Sequence, residues 1–292
     1  MGPRKDSHVI MVGMSRAGTT FMYHNLRKHP DLFLPSRKEI GYFAHHYDKG
    51  EGWYRSYYDQ SKEDQVTVDI CGVYFSDDNA ISRIKNDFPE SKIILSFRDP
   101  YEWIFSLYEQ YEGSFRVPSF EEFLGGCVLE REGKRLHLDF TNNKIRKRVE
   151  EYMTTFEDRI FLYDFAEFER DPLAILCRLE SFMGVRPWFS QNRFTNKKIN
   201  ARGRNNSGWF DRLLQQRGVI DLILTVFPRS LVLKARNIWE LKEASESSTA
   251  KITFSDAERA SAHSIFASDH EFYTRLFKDS RTVLGAKKPV ND

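Results

Sequence analysis

The chain has 292 residues, of which 40% are hydrophobic and 14% aromatic, enough for one large domain or two small ones with a sizeable core. Its charges nearly cancel at a net +2, so composition gives no reason to expect nucleic acid or a membrane surface as partner. The three cysteines, Cys71, Cys127 and Cys177, stand far apart, which argues against a disulfide framework or a cysteine metal site and favours a reducing compartment. Residues 1–7 are polar and no apolar run approaches the roughly 18 residues of a membrane span, so we expect no leader peptide, no membrane span and a cytoplasmic protein.

The first regular segment is an apolar run, Val9–Val12, that enters a glycine-bounded loop and then a helix. Gly13 and Gly18 have the G-x-x-x-x-G spacing of a phosphate-binding loop, in which backbone N–H groups and a helix N-terminus attract anions. Nucleoside triphosphatases have a lysine after the second glycine; this chain has Thr19 there, and its cation, Arg16, lies inside the loop. The loop therefore predicts a phosphate site, but not one for a triphosphate with Mg²⁺. A glycine-rich turn without a ligand is the alternative that this motif alone leaves open.

A lysine–glutamate pair, Lys38 and Glu39, follows the first helix and stands among aromatic residues. Partial burial there would raise the pKa of Glu39 and suit it to proton abstraction, although composition alone equally allows a surface carboxylate. The aromatic residues at 53–57 are expected to pack in the core. His45 and His46 are alternative acid–base groups, but packing or surface positions are more common for such histidines.

A second apolar strand, residues 92–97, is followed by Arg98 and by a helix over residues 101–111. A strand that is apolar throughout and leads into a helix is typical of a parallel sheet covered on both faces. Ligands of such sheets gather at the carboxyl ends of the strands, where Arg98 stands, and Ser106 lies about two helical turns further on. The alternative for Arg98 is a surface salt bridge with a neighbouring carboxylate.

The remaining chain divides into irregular and regular stretches. Residues 113–138 are the least regular region, interrupted by Pro118 and several glycines, with a short helix at 120–124; we expect a lid, a substrate loop or a tolerated insertion. Residues 194–206 are basic and rich in glycine and asparagine, which predicts either an arm over an anionic ligand or a solvated loop. Further predicted elements are a helix at 143–156, a strand at 159–163, and helices at 171–183, 209–239 and 255–277.

These elements predict an α/β fold, a central parallel sheet flanked by helices with a helical C-terminal part. We expect a single domain over residues 1–292. Within it, residues 8–205 form the cofactor-binding core, residues 206–280 the helical part, and residues 110–141 a lid or substrate region. Two or three anion sites without a metal ligand set favour a nucleotide with separated phosphates over a triphosphate.

The ordered set of segments resembles the sulfotransferases that use 3′-phosphoadenosine 5′-phosphosulfate (PAPS), and more narrowly their bacterial and heparan-sulfate-type branch. The resembling stretches are residues 15–20, 38–54 and 92–108, and the resemblance covers roughly residues 8–205. It implies the P-loop-like sulfotransferase fold. Family members often carry lysine where Arg16 stands. They also often carry a Lys-Ser/Thr-Pro triplet before a tyrosine, whereas the corresponding run here, Asp69–Tyr74, lacks the lysine.

The resemblance implies transfer of a sulfuryl group from PAPS, without a metal, to a hydroxyl or amine of a glycan, lipid or small natural product. It makes Glu39 the general base and Arg16 the cation beside the transferred group. It assigns the 5′-phosphosulfate to residues 15–20 and the 3′-phosphate to Arg98 and Ser106. The full set of candidate cofactor contacts is Ser15, Arg16, Ala17, Gly18, Thr19, Thr20, Arg98, Ser106, Tyr163, Lys198, Arg202, Gly203 and Arg204. The alternatives are a P-loop nucleotide kinase, disfavoured by Thr19, and a nucleotide-binding module without catalysis.

Overall fold

The computed structural model describes residues 8–112, 117–131, 134–140, 144–195 and 252–279. The predicted helix at 209–239 and nearly all of the basic loop at 194–206 lie outside these residues. The strands of the described part are β1 His8–Gly13, β2 Leu32–Phe33, β3 Val66–Ile70, β4 Lys92–Phe97, β5 Cys127–Arg131, β6 Lys134–Leu138 and β7 Ile160–Asp164. Five of them form one sheet in the order β2-β3-β1-β4-β7, and every pairing in it is parallel. The predicted parallel sheet is therefore confirmed.

The central strand β1 is buried along its whole length and pairs with β3 on one side and β4 on the other. Such strands are apolar throughout because helices cover both faces of the sheet. The register sets Met11 opposite Ile94 and Gly13 opposite Leu95, so the two strands end side by side. The loop after β1 and the residues after β4 consequently share one edge of the sheet.

Helices surround this sheet. Their bounds are α1 Thr19–Leu26, α2 Tyr42–His45, α3 Gly50–Arg55, α4 Ala80–Asp87, α5 Pro100–Glu112, α6 Phe120–Leu124, α7 Lys144–Phe156, α8 Phe165–Arg170, α9 Pro172–Met183 and α10 Asp256–Thr274. Ser255 and Glu258 form a capping box at the start of α10, and Asp171 caps α9 through the N–H of Ala174, where the sequence predicted helices to begin. Among the helices of the described residues, none is both long and apolar enough to span a membrane.

The region predicted as irregular contains more structure than expected. Beyond α6, strands β5 and β6 form an antiparallel hairpin, with Leu129 opposite Leu136. The hairpin was not predicted, because its strands are held together by cross-strand hydrogen bonds that no local sequence signal indicates. Helix α10 packs on α5, α6 and α7, and Phe266 in it contacts Phe140. The C-terminal helix thus adds to the core.

Candidate active site

The glycine-bounded loop lies between the end of β1 and the N-terminus of α1, as predicted. Gly18 is the N-cap of α1 and has φ of +81°, a left-handed conformation that favours glycine. A Cβ atom at Gly18 would also lie 2.8 Å from the ring of Phe168. The loop is tied to its neighbours by the N–H of Met14, which donates to the Ser96 carbonyl at 2.9 Å, and by the indole of Trp103, which donates to the Ser15 carbonyl at 3.0 Å. The loop is therefore held in a shape in which the helix N-terminus faces the sheet edge.

The loop cation meets both residues predicted for the second phosphate. Nε of Arg16 donates to Oγ of Ser106 at 2.9 Å, and Nη1 of Arg98 donates to the carbonyl of Arg16 at 2.9 Å. Burial lowers the pKa of Arg16, and the nearby charge of Arg98 lowers it further. Burial also lowers the pKa of Arg98. The structure thus brings together two guanidinium groups and a hydroxyl that are up to 90 residues apart in sequence.

Arg98 has carboxylates around it: Glu102, Glu169, Glu109 and Asp99 each act on its pKa in the direction that favours the charged form. Glu102 lies 4.0 Å away, but its side chain is 73% exposed, and exposed pairs of this kind contribute about 0–1 kcal/mol. The guanidinium stacks over the ring of Phe165, 5.0 Å from its centroid, and is itself 19% exposed. The contact with Glu102 is the surface salt bridge considered as the alternative for Arg98, and the same guanidinium also donates to the carbonyl of Arg16 in the loop. Two like charges held together at low exposure favour binding of an anion.

Glu39 lies beside the glycine-bounded loop, but its side chain is more exposed than the sequence suggested. Its Oε2 accepts a hydrogen bond of 2.8 Å from the N–H of Gly72, and its Oε1 pairs with Nζ of Lys38. Gly72 packs directly on the loop, since a Cβ atom there would lie 2.6 Å from Oγ of Ser15. The carboxylate is thus one residue removed from the glycine-bounded loop. The side chain of Glu39 is 41% exposed, so the partial burial expected from the sequence is not found.

The stretch that lacks the lysine of the resembling family is buried. Asp69 and Ile70, at the end of β3, and Cys71 after them are all buried. Burial raises the pKa of the Cys71 thiol, and the charge of Glu39 raises it further. His46, the alternative base, packs edge-on against Trp53 with ring centroids 5.4 Å apart.

Five further residues were predicted to contact the cofactor. Tyr163 lies inside β7 with 1% of its surface exposed, and packs against Phe161 and Phe168. The remaining four candidates lie outside the described residues: Lys198, Arg202, Gly203 and Arg204.

Helix α10 contributes side chains that the sequence did not suggest. Nδ1 of His270 lies 3.0 Å from the carboxylate of Asp99, the residue after Arg98. The hydroxyl of Tyr273 donates to Asp164 at 2.6 Å, at the end of β7. These contacts join residues more than a hundred positions apart, and no local motif marks them.

A groove of about 450 Å³ runs along the hairpin and α6, lined by Val117, Pro118, Glu122, Gly126, Cys127 and Val128. Tyr111 lies near Cys127 of this groove, as the effects on its pKa show. Burial raises the pKa of Tyr111 to about 12, with smaller contributions from Glu39 and from Cys127. Tyr111 therefore lies within electrostatic reach of both Glu39 and the groove.

The chain is similar in sequence to known sulfotransferases, although no family model matches it. Over 102 residues, 34% of this chain, it is 35% identical to the membrane-associated sulfotransferase kil1 of Dictyostelium discoideum, of which it spans 22%. Over 200 residues, 66% of this chain, it is 26% identical to heparan sulfate glucosamine 3-O-sulfotransferase 6 of Mus musculus, of which it spans 56%. The chain thus spans less than two thirds of the length of these relatives.

A solved structure agrees with the sequence comparison. The sulfotransferase of Alicyclobacillus acidocaldarius superposes with a TM-score of 0.51 and 19% identity, covering 66% of this chain and 86% of that one. The fold is therefore the P-loop-like sulfotransferase fold that the sequence predicted.

Proposed function

The chain is a homologue of the sulfotransferases, and from that premise we propose that it transfers a sulfuryl group from PAPS to a hydroxyl or amine of an acceptor. The observation that carries this proposal is the convergence of Arg16, Arg98 and Ser106 on a glycine-bounded loop at the edge of a parallel sheet. Two guanidinium groups, one hydroxyl and a helix N-terminus form a donor set suited to a nucleotide with two separated phosphates. When bound, PAPS would supply the activated sulfuryl group.

The cations at the loop would hold the two ends of the nucleotide and stabilise its negative charge. Arg16 and the N-terminus of α1 would hold the 5′ end of the nucleotide and stabilise negative charge that develops there. Arg98 would hold the 3′-phosphate, because its guanidinium is fixed to the loop backbone and is only weakly paired with Glu102. These groups are already oriented by hydrogen bonds within the protein, which lowers the cost of ordering them on binding.

Glu39 would accept the proton of the acceptor hydroxyl or amine. Its carboxylate is fixed beside the loop by the N–H of Gly72 and is exposed enough for an acceptor to reach it. Tyr111 lies within electrostatic reach of this carboxylate and of Cys127, which lines the groove, so the acceptor would approach from that side. We propose a glycan or a small molecule as acceptor, the glycan in keeping with the name of the heparan sulfate relative.

Calorimetric titration of the protein with adenosine 3′,5′-bisphosphate, and separately with ATP and Mg²⁺, tests the donor site. We expect the bisphosphate to bind without metal and ATP to bind far more weakly. Preference for ATP with Mg²⁺ would instead support a nucleotide kinase.

Transfer itself is tested with ³⁵S-labelled PAPS and two acceptors, 2-naphthol and an N-sulfated heparan oligosaccharide. Glu39→Gln should lower kcat by about 10²- to 10⁴-fold and leave affinity for the bisphosphate unchanged, since general-base catalysis contributes that much. Glu63→Gln, on an exposed loop, makes the same chemical change away from the site and serves as the control. Unchanged turnover by the Glu39 variant would refute the assignment of the base, and wild-type binding without turnover would favour a non-catalytic module.

A further inference from the structure

The turn that carries Glu39 has an unfavourable backbone. Glu39 has φ of +58° and Gly41 has φ of +73°, on either side of the buried Ile40. The left-handed conformation costs a residue with a Cβ atom about 1–2 kcal/mol. The surrounding structure must therefore hold this turn in place.

Two hydrogen bonds hold this turn in place, and their acceptors lie at the end of β3 and in the turn after it. The N–H of Glu39 donates to the carbonyl of Ile70 at 3.2 Å. The N–H of Tyr42, the first residue of α2, donates to the hydroxyl of Tyr74 at 3.0 Å. The first N–H groups of a helix have no partner within the helix, and the N-cap Gly41 has no side chain to supply one. The phenol of Tyr74 thus takes the place of a capping side chain.

Tyr74 is in turn held by a buried polar network. Its hydroxyl donates to Oδ2 of Asp69 at 2.8 Å, and the hydroxyl of Tyr54 donates to the same oxygen at 3.0 Å. Nε2 of His8 lies 2.7 Å from the Tyr54 hydroxyl, and its Nδ1 lies 2.8 Å from Oγ1 of Thr67. Burial lowers the pKa of His8 to about 3, so the imidazole is neutral. Since Tyr54 donates to Asp69, it accepts from Nε2–H of His8, and Nδ1 accepts from Thr67.

We propose that Tyr74 is a positioning residue for Glu39, with Asp69 fixing the direction of its hydroxyl. The segment from Gly72 to Tyr74 holds the carboxylate of Glu39 at one end and the start of α2 at the other. Tyr74 is fully buried and does not touch the reacting groups, so its effect passes through the Glu39 turn. This inference rests on the proposed function, since it concerns the base of that reaction.

Tyr74→Phe tests the inference, because it removes only the hydroxyl that joins Asp69 to the N–H of Tyr42. Tyr58→Phe is the matched control: Tyr58 is equally buried and its hydroxyl donates to that of Tyr54 at 3.3 Å, but it makes no hydrogen bond to the Glu39 turn. With ³⁵S-labelled PAPS and the two acceptors named above, we expect kcat of Tyr74→Phe to fall about 10- to 100-fold, since small misplacements of a catalytic group cost this much. Tyr58→Phe should stay near the wild-type rate, and both variants should bind adenosine 3′,5′-bisphosphate as the wild type does.

Two further measurements separate positioning from loss of structure. In Tyr74→Phe the amide proton of Tyr42 should exchange faster with solvent, whereas in Tyr58→Phe it should not. Asp69→Asn keeps an acceptor for the Tyr74 hydroxyl and should lower kcat less than Tyr74→Phe does. Wild-type kcat in Tyr74→Phe, or an equal loss in Tyr58→Phe, would overturn the inference while leaving the proposed function intact. Failure of the wild-type protein to transfer from PAPS would overturn the function itself, and the inference with it.

Discussion

The carboxyl of Asp69 allows a quantitative test of the buried network. Burial raises its pKa from 3.8 to about 7, against the opposing effect of the hydroxyls of Tyr74 and Tyr54. Because this pKa is higher in the folded than in the unfolded state, the folded protein retains a proton that the unfolded chain releases. The stabilisation is therefore complete below about pH 4 and is lost as the pH rises through about 7, a loss of about 4 kcal/mol in the free energy of unfolding.

Asp69→Asn removes this titration while keeping an acceptor for the tyrosine hydroxyls. The free energy of unfolding of the variant, relative to the wild type, should rise by about 4 kcal/mol between about pH 4 and pH 8. Urea unfolding followed by tryptophan fluorescence at several pH values measures this difference. Asp59→Asn, on an exposed turn, makes the same change in charge and serves as the control. A difference between Asp69→Asn and wild type that stays constant over this range would refute the reasoning.

Two further predictions concern the glycine-bounded loop and Arg98 beside it. Gly18→Ala should destabilise the protein more than Gly184→Ala. Both glycines have φ near +80°, a conformation that costs alanine about 1 kcal/mol. Only at Gly18 would the added Cβ atom clash, because it would lie 2.8 Å from the ring of Phe168. Thermal unfolding compares the two, and equal losses would contradict the steric argument. Arg98→Ala should weaken binding of adenosine 3′,5′-bisphosphate about 10- to 100-fold in calorimetry, the loss of one charge-assisted contact, whereas Lys85→Ala, exposed on α4, should not. Unchanged affinity in the Arg98 variant would remove this arginine from the site.

The parts of the site that were predictable depend on local sequence signals. Glycine spacing after an apolar strand predicted the loop, because that spacing serves a backbone shape set within a few residues. Arg98 was predictable from its place after a buried strand, since parallel strands end at a common edge. Its hydrogen bond to the carbonyl of Arg16 was not, because no pattern specifies which group a strand-end side chain reaches.

The parts that could not be predicted depend on tertiary packing. His270 reaches Asp99 across 171 residues, and the hydroxyl of Tyr74 caps a helix that begins 32 residues earlier. Neither contact leaves a periodic signal. The exposure of Glu39 was misjudged for a similar reason: its neighbours in sequence are aromatic, but their rings point into the core while the left-handed turn directs the carboxylate outward.

The central place of β1 has a consequence for how the fold opens. This strand leads into the glycine-bounded loop and is paired with a strand on each side, whereas the edge strand β2 has only two residues. We expect amide protons of β1 to exchange with solvent only through large-scale opening of the sheet, and those at the edge to exchange through local fraying. A ligand that binds the loop stabilises only the folded state. Its binding free energy should therefore slow the exchange of amide protons throughout the sheet. The loop is thus coupled to the slowest-opening unit of the protein.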